Sequence, residues 1–177
     1  MKSALIVVGI LVLLVFIVGG MLMSTRNQLV TEKQGVEAAW SGVDTALQRR
    51  ADLIPNLVET VKGYAKQEQT VFRDIANARA ALAGGRTPED KLQANAQLSG
   101  ALGRLLVIVE NYPQLKSNES FNRLMDELAG TENRINVERR RYNEAVQKYN
   151  TDIQLFPKNI AAGMFGFGPQ PYFQADP

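Results

Sequence analysis

Four charged residues fall on or beside the lines along which this chain carries its apolar side chains: Arg50, Glu68, Glu132 and Arg139. Ionised groups survive in a core only when they are paired. One expectation is therefore a buried polar layer that sets helix register or forms a regulated site. The plainer expectation is that they sit at helix ends or at a seam edge and reach outward along their aliphatic stems. Glu68 and Glu132 are candidates for a general acid and base, but no loop-borne nucleophile or Gly-rich turn accompanies them. The chain has no histidine and no cysteine. That removes an imidazole base, a thiol nucleophile, disulfides and the usual zinc and haem ligands. The residues assign no catalytic, cofactor-binding or metal-binding role, and the expectation is a protein that is not an enzyme.

Arg139, Arg140 and Arg141, with Arg134 nearby, form a basic cluster that suits phosphate or anionic lipid headgroups. Glu138 and Glu144 interrupt it, and Glu144 pairs with Lys148 at i,i+4, so a solvated helix face is expected. A net charge of +2 is too small for the footprint of a nucleic-acid-binding surface. Arg49, Arg50 and Asp52, just before Pro55, read as a helix-end network. Trp40 and Tyr64, Tyr142 and Tyr149 lie on core lines and are expected to pack there. Phe165, Phe167, Tyr172 and Phe173 follow no helical period; they suit packing on their own domain and contact with another copy or a partner equally.

The element that must position all of these begins the chain. Ala4 to Met23 reads ALIVVGILVLLVFIVGGMLM, twenty residues without a charge, with Leu5, Leu14 and Phe16 inside it and Lys2 and Arg26 outside. As a helix it covers about 30 Å, the thickness of a bilayer's hydrocarbon layer, with its backbone hydrogen bonds satisfied internally. A buried core helix would be shorter and carry a polar stripe. A cleaved signal peptide is the stronger competitor, but the run exceeds the usual apolar region and lacks a small-x-small cleavage site. No cysteine is present for lipid attachment. Lys2 on one side and Arg26 and Lys33 on the other nearly balance; the short N-terminal tail favours export of the rest. The span has no Gly-xxx-Gly pair, so self-association is expected to rest on the soluble part.

Beyond the span, Leu29, Val36, Val43 and Arg50 recur at sevens, with Lys33, Trp40, Leu47 and Ile54 as the companion line. No linker separates Met23 from Leu29, so the span is expected to continue into this helix. Pro55 ends it or kinks it. A second helix is expected from Leu57 to Leu82, stopped by Gly84 and Gly85; the alternative is one helix of nearly sixty residues running through Pro55. Thr87, Pro88 and Asp90 start the next helix as N-cap, first turn and capping box. That helix runs to Tyr112 and Pro113, and its centre, Leu105 to Val109, is apolar all round and expected to be deeply buried. After a loop at Lys116 to Asn118, a last helix carries Phe121, Leu128, Ile135, Tyr142 and Tyr149, with Met125, Glu132, Arg139, Val146 and Ile153 alongside. From Phe156 onward, proline, glycine and aromatics predict an irregular tail.

The expected fold is all-α: an N-terminal transmembrane helix continuing into an antiparallel up-and-down four-helix bundle, with an irregular aromatic, Gly/Pro-rich C-terminal tail. The corresponding division is 1–25 for the anchor, 26–155 for the bundle and 156–177 for the tail.

The run EAAWSGVDTALQRRADLIPNLVETVKGYAKQE, together with NYPQLKS, FNRLMDELAGTENRI, RRRYNEAVQKYNTDIQLFP, FGF and PYF, resembles the signature of the LemA family over nearly the whole chain. The resemblance implies a bacterial protein with a hydrophobic anchor and a helical domain. It carries over no catalytic or cofactor-binding residue. Many Gram-negative members have a lipoprotein cysteine after the apolar run; Ser24 and its neighbours offer none, which points to a span. Members tied to magnetosome membrane formation imply, by analogy only, a role in organising or remodelling envelope membrane.

The functional expectation is a single-pass protein of the bacterial cytoplasmic (inner) membrane, its soluble domain extracytoplasmic, that scaffolds by self-association. The alternative is an adaptor that presents other envelope proteins to a membrane-bound partner such as a protease. The expected partners are the bilayer, further copies of the chain and other envelope proteins, with no nucleic acid and no cofactor.

Overall fold

The computed structural model describes the backbone of residues 2–174 and the side chains of residues 5–174, in which every regular element is a helix. They are α1 (Lys2–Lys62), α2 (Gln69–Gly84), α3 (Pro88–Val109), α4 (Pro113–Lys116), α5 (Glu119–Asp152) and α6 (Lys158–Phe165).

The apolar run passes into α1 without a break, and α1 does not stop at Pro55. Of the two expectations, a boundary at Pro55 and one long helix through it, the second holds: a helix interior tolerates proline when another donor takes the carbonyl its missing N–H leaves open, and Arg79 Nε–H donates to Ala51 O at 2.9 Å. The chain leaves the helix at Gly63 instead, where Tyr64 and Ala65 both turn their N–H groups back to Val61 O at 2.9 Å. The helix expected from Leu57 to Leu82 is thus two pieces, residues 57–62 belonging to α1 and 69–82 to α2, with a turn between them.

The start of α3 follows local chemistry. Thr87 Oγ1 accepts from Asp90 N and Asp90 Oδ2 accepts from Thr87 N, each at 3.1 Å, which satisfies two otherwise orphaned donors. Asn118 Oδ1 likewise accepts from Phe121 N at 2.9 Å and opens α5. The segment after Phe156 is not wholly irregular: KNIAAGMF contains no proline and forms α6. Gly166, at φ 73°, ends it, with Phe167 N donating to Ala162 O at 2.9 Å; the left-handed region suits glycine because it lacks a Cβ.

The chain divides into two compact units. Among the described residues, one takes 2–38 with Asn143–Tyr172; the other takes Ala39–Tyr142 with Phe173 and Gln174. The first is centred on Leu29, Val36, Val146, Tyr149, Ala161 and Ala162, and the second on Val43, Leu47, Ile54, Leu57, Ile75, Leu98, Leu105, Leu115 and Tyr142, all buried. In the second unit Trp40 meets Tyr142 and Arg49 meets Glu127, so α1 and α5 run antiparallel. Asp44 pairs with Lys91 and Arg50 with Asn95, so α1 and α3 run parallel. Asp74 pairs with Arg104, as expected of an α2–α3 hairpin.

Three expectations of burial are corrected. Lys33 is exposed and Glu32 takes its place on the buried side. On α5 Thr131 and Glu138 are buried, each one residue before Glu132 and Arg139, for which the sequence leaves both a buried layer and an outward-reaching seam edge open. On α3 only Leu105 and Val109 of the apolar centre are buried, while Leu106 is 41% and Val107 68% exposed. Tyr64 is also exposed, its hydroxyl accepting from Asn118 Nδ2 at 3.0 Å.

Candidate functional site

The apolar part of α1 presents aliphatic surface on all sides. Leu5, Leu14, Phe16 and Met23 are all at least half exposed, and every described residue from Leu5 to Met21 is exposed. Ala4 lies in α1, but its side chain falls outside the described residues. By length and composition this helix can cross a membrane. Leu22 and Thr25 are the first described positions on α1 to be partly covered.

Next to that boundary, in the first unit, the C-terminal segment folds back. The Arg26 guanidinium lies 5.6 Å from the centroid of the Phe165 ring, a cation–π geometry. Asn150 on α5 holds the chain beyond α6 through two backbone bonds, accepting from Gln170 N and donating to Gln170 O, each at 2.8 Å. Lys158 donates to Asp152 Oδ2 at 2.6 Å, tying the start of α6 to the end of α5. Phe167 is half-buried and Tyr172 exposed.

Two carboxyl groups meet in the same unit. Glu32, with its side chain only 5% exposed, accepts from Gln28 Nε2 at 3.1 Å and lies 3.5 Å from Lys148 Nζ. Its other carboxylate oxygen is buried without a hydrogen-bond partner, and the Asp152 carboxyl is a neighbour. Burial, and then Asp152, push the Glu32 carboxyl above its ordinary range, while the Lys158 hydrogen bond holds Asp152 below its own. The sequence signal for Glu32 was its place three residues after Leu29, which the seven-residue line through Lys33 passed over.

In the second unit Arg50 is buried, with Nη1 donating to Asn95 Oδ1 at 2.7 Å and 3.1 Å from Glu132 Oε2. Glu132 is about half exposed to solvent. Glu68 lies elsewhere, at the N-terminal boundary of α2, and Arg139 stacks over Phe173, 5.7 Å from the ring centroid. Phe173 is buried. The structure thus joins Arg50 to Glu132 and leaves Glu68 and Arg139 in other surroundings. Asn95 was invisible as a partner, since a lone polar residue on a helix carries no period.

The basic cluster is locally neutralised. The buried Glu138 carboxylate takes Arg141 at 3.1 Å and Arg134 at 3.4 Å. Beside it an open groove of about 550 Å³ is lined by Gly42, Thr45, Ala46, Arg49, Glu127, Gly130, Thr131 and Arg134. Among the described residues no three acidic side chains converge as metal ligands.

These features define an all-α protein with one N-terminal helix long and apolar enough to cross a membrane and, after it in the chain, a polar-laced helical portion. The LemA family model matches residues 39–177, and the chain belongs to the LemA family. It is similar to Magnetosome protein MamQ 2 of Paramagnetospirillum magneticum, with 29% identity over an alignment covering 98% of this chain and 73% of the relative. It is also similar to Magnetosome protein MamQ of Magnetospirillum gryphiswaldense, at 27% identity over 88% of this chain and 67% of the relative. Protein LemA of Metamycoplasma hominis shares 23% identity over 85% of this chain and 69% of its own.

Proposed function

We propose that this protein is a membrane-anchored, non-enzymatic scaffold of the bacterial envelope that self-associates and organises or remodels membrane. One observation carries the reading: the apolar stretch runs without a joint into the part of α1 that packs in the first unit. A helix satisfies its backbone in lipid and in water alike, so the packed residues follow the span with no flexible tether. The direction of the helices in the second unit supports reading it as an up-and-down four-helix bundle. Similarity to magnetosome proteins supports a membrane-organising role by analogy. The anchor belongs in the cytoplasmic membrane, with the helical domain on its outer side.

Self-association needs a surface, and the exposed pair Leu106 and Val107 on α3 supplies an apolar one. Anchoring confines copies to a plane and raises their effective concentration, so a small contact is enough. Blue-native electrophoresis in mild detergent, with cross-linking in membranes, is expected to give multimers that Leu106→Ser with Val107→Ser weakens. Monomer alone in both measurements would sink the scaffold reading. If multimers persist after removal of residues 165–177 while co-purifying envelope proteins are lost, the chain is an adaptor instead.

A further inference from the structure

We propose that α6 is a lipid-contacting element, lying on the surface of the same bilayer that takes the apolar stretch of α1. Three observations place it there. The first is level. Arg26 is three residues past Met23, about 4.5 Å along the helix axis, whereas the polar layer flanking the hydrocarbon is about 5–7 Å thick on each side. The Phe165 ring, 5.6 Å from the Arg26 guanidinium, is thereby held at headgroup depth, where aromatic rings and arginines are favoured.

The second is the face presented. Ile160 and Met164 are four residues apart and share one side of α6; they are 48% and 64% exposed, while Ala161 and Ala162 are buried. Just before the helix, Phe156 is 79% exposed. Apolar side chains of this size, left in water, are an unfavourable arrangement that the acyl boundary removes. The third is rigidity. Lys158 to Asp152 and Asn150 to Gln170 fix both ends of the segment to α5 within the first unit, so the face is held in place instead of being free to fold inward. Continuity with the span selects lipid over a second copy as the occupant.

The inference rests on the reading that Ala4 to Met23 spans a membrane, and the test separates the two. The chain lacks cysteine, so single-cysteine variants of the full chain take an environment-sensitive fluorophore at one site each. Leu14→Cys reports the span, Ile160→Cys and Met164→Cys report α6, and exposed Gln114→Cys reports water. In proteoliposomes of phosphatidylcholine and phosphatidylglycerol, the two α6 labels are expected to shift to the blue. Lipids bearing a nitroxide near the headgroup are expected to quench them, and iodide to reach them less than it reaches Gln114→Cys. Quenching at Leu14→Cys without quenching at α6 overturns the inference and leaves the span standing. Disulfide dimers through Ile160→Cys with no lipid quenching assign the face to a second copy and overturn it too. No quenching at Leu14→Cys removes the span and, with it, this inference.

Discussion

Arg79 supplies the hydrogen bond that Pro55 cannot: its Nε–H donates to Ala51 O at 2.9 Å, the carbonyl a residue with an N–H at position 55 would have used. A side chain on α2 thus repairs the ladder of α1, and the two elements are locked together by a backbone vacancy. Arg79→Ala is expected to destabilise the chain by about 1–2 kcal/mol, because a bond from a charged donor is worth about 1.5–3 kcal/mol and Arg79 is only partly buried. In a Pro55→Ala background, where the backbone N–H can take over, the same change is expected to do less. A double-mutant cycle from thermal unfolding in detergent measures the difference; equal effects in both backgrounds would refute the repair.

Gly42 and Glu138 make a second cross-helix fit. A Cβ on Gly42 would lie 2.8 Å from Glu138 Oε2 and 3.3 Å from its Cδ. Helix propensity alone favours Gly42→Ala by about 1 kcal/mol, whereas displacing the buried carboxylate from Arg134 and Arg141 opposes it by a similar amount or more. The expected outcome is a change near zero or destabilising in the native chain, and stabilising once Glu138→Ala has cleared the space. Stabilisation of the same size in both would show that the carboxylate does not depend on the glycine.

The Arg50 cluster ranks its partners by burial. Asn95→Ala removes a buried acceptor from a charged donor and is expected to cost about 1.5–3 kcal/mol. Glu132→Gln acts on a half-exposed ion pair and is expected to cost less than about 1 kcal/mol. Denaturant titration of the two variants orders them. The reverse order would place the weight of the cluster on Glu132.

Glu32 and Asp152 give stability opposite dependences on pH. The Glu32 carboxyl is raised above its unfolded value near 4.5, so its contribution is complete below that pH and is lost as pH rises through the folded value. Asp152 is held below its unfolded value near 3.8, so its contribution is present above that pH and is lost on acidification through the folded value. The melting temperature of Glu32→Gln is expected to rise relative to the native chain as pH increases from 4 to 8. That of Asp152→Asn is expected to approach the native value as pH falls below the unfolded value. A flat difference for Glu32→Gln would show that burial does not perturb its carboxyl.

What was legible in the sequence is what neighbouring residues settle among themselves. The twenty-residue apolar run, the Thr87–Asp90 capping box and the seven-residue spacing of Phe121, Ile135, Tyr142 and Tyr149 each act within a few turns of one chain segment. A helix of 3.6 residues per turn drifts by about 20° per heptad against a strict repeat of seven. Neighbouring positions can therefore exchange places on the seam, and periodicity alone could not choose Glu32 over Lys33 or Glu138 over Arg139.

The sequence by itself determined an all-helical chain with an N-terminal helix long and apolar enough to cross a membrane, because helix formation, capping and apolar length are local properties. Only the tertiary structure decided that α1 continues through Pro55, that Asn95 receives Arg50 and that α6 is pinned beside Arg26. Each of those outcomes depends on a group far away in the chain: Arg79 is 28 residues from Ala51, and Asn95 is 45 from Arg50. Such partners become neighbours only when the helices pack, and no spacing within either segment announces them.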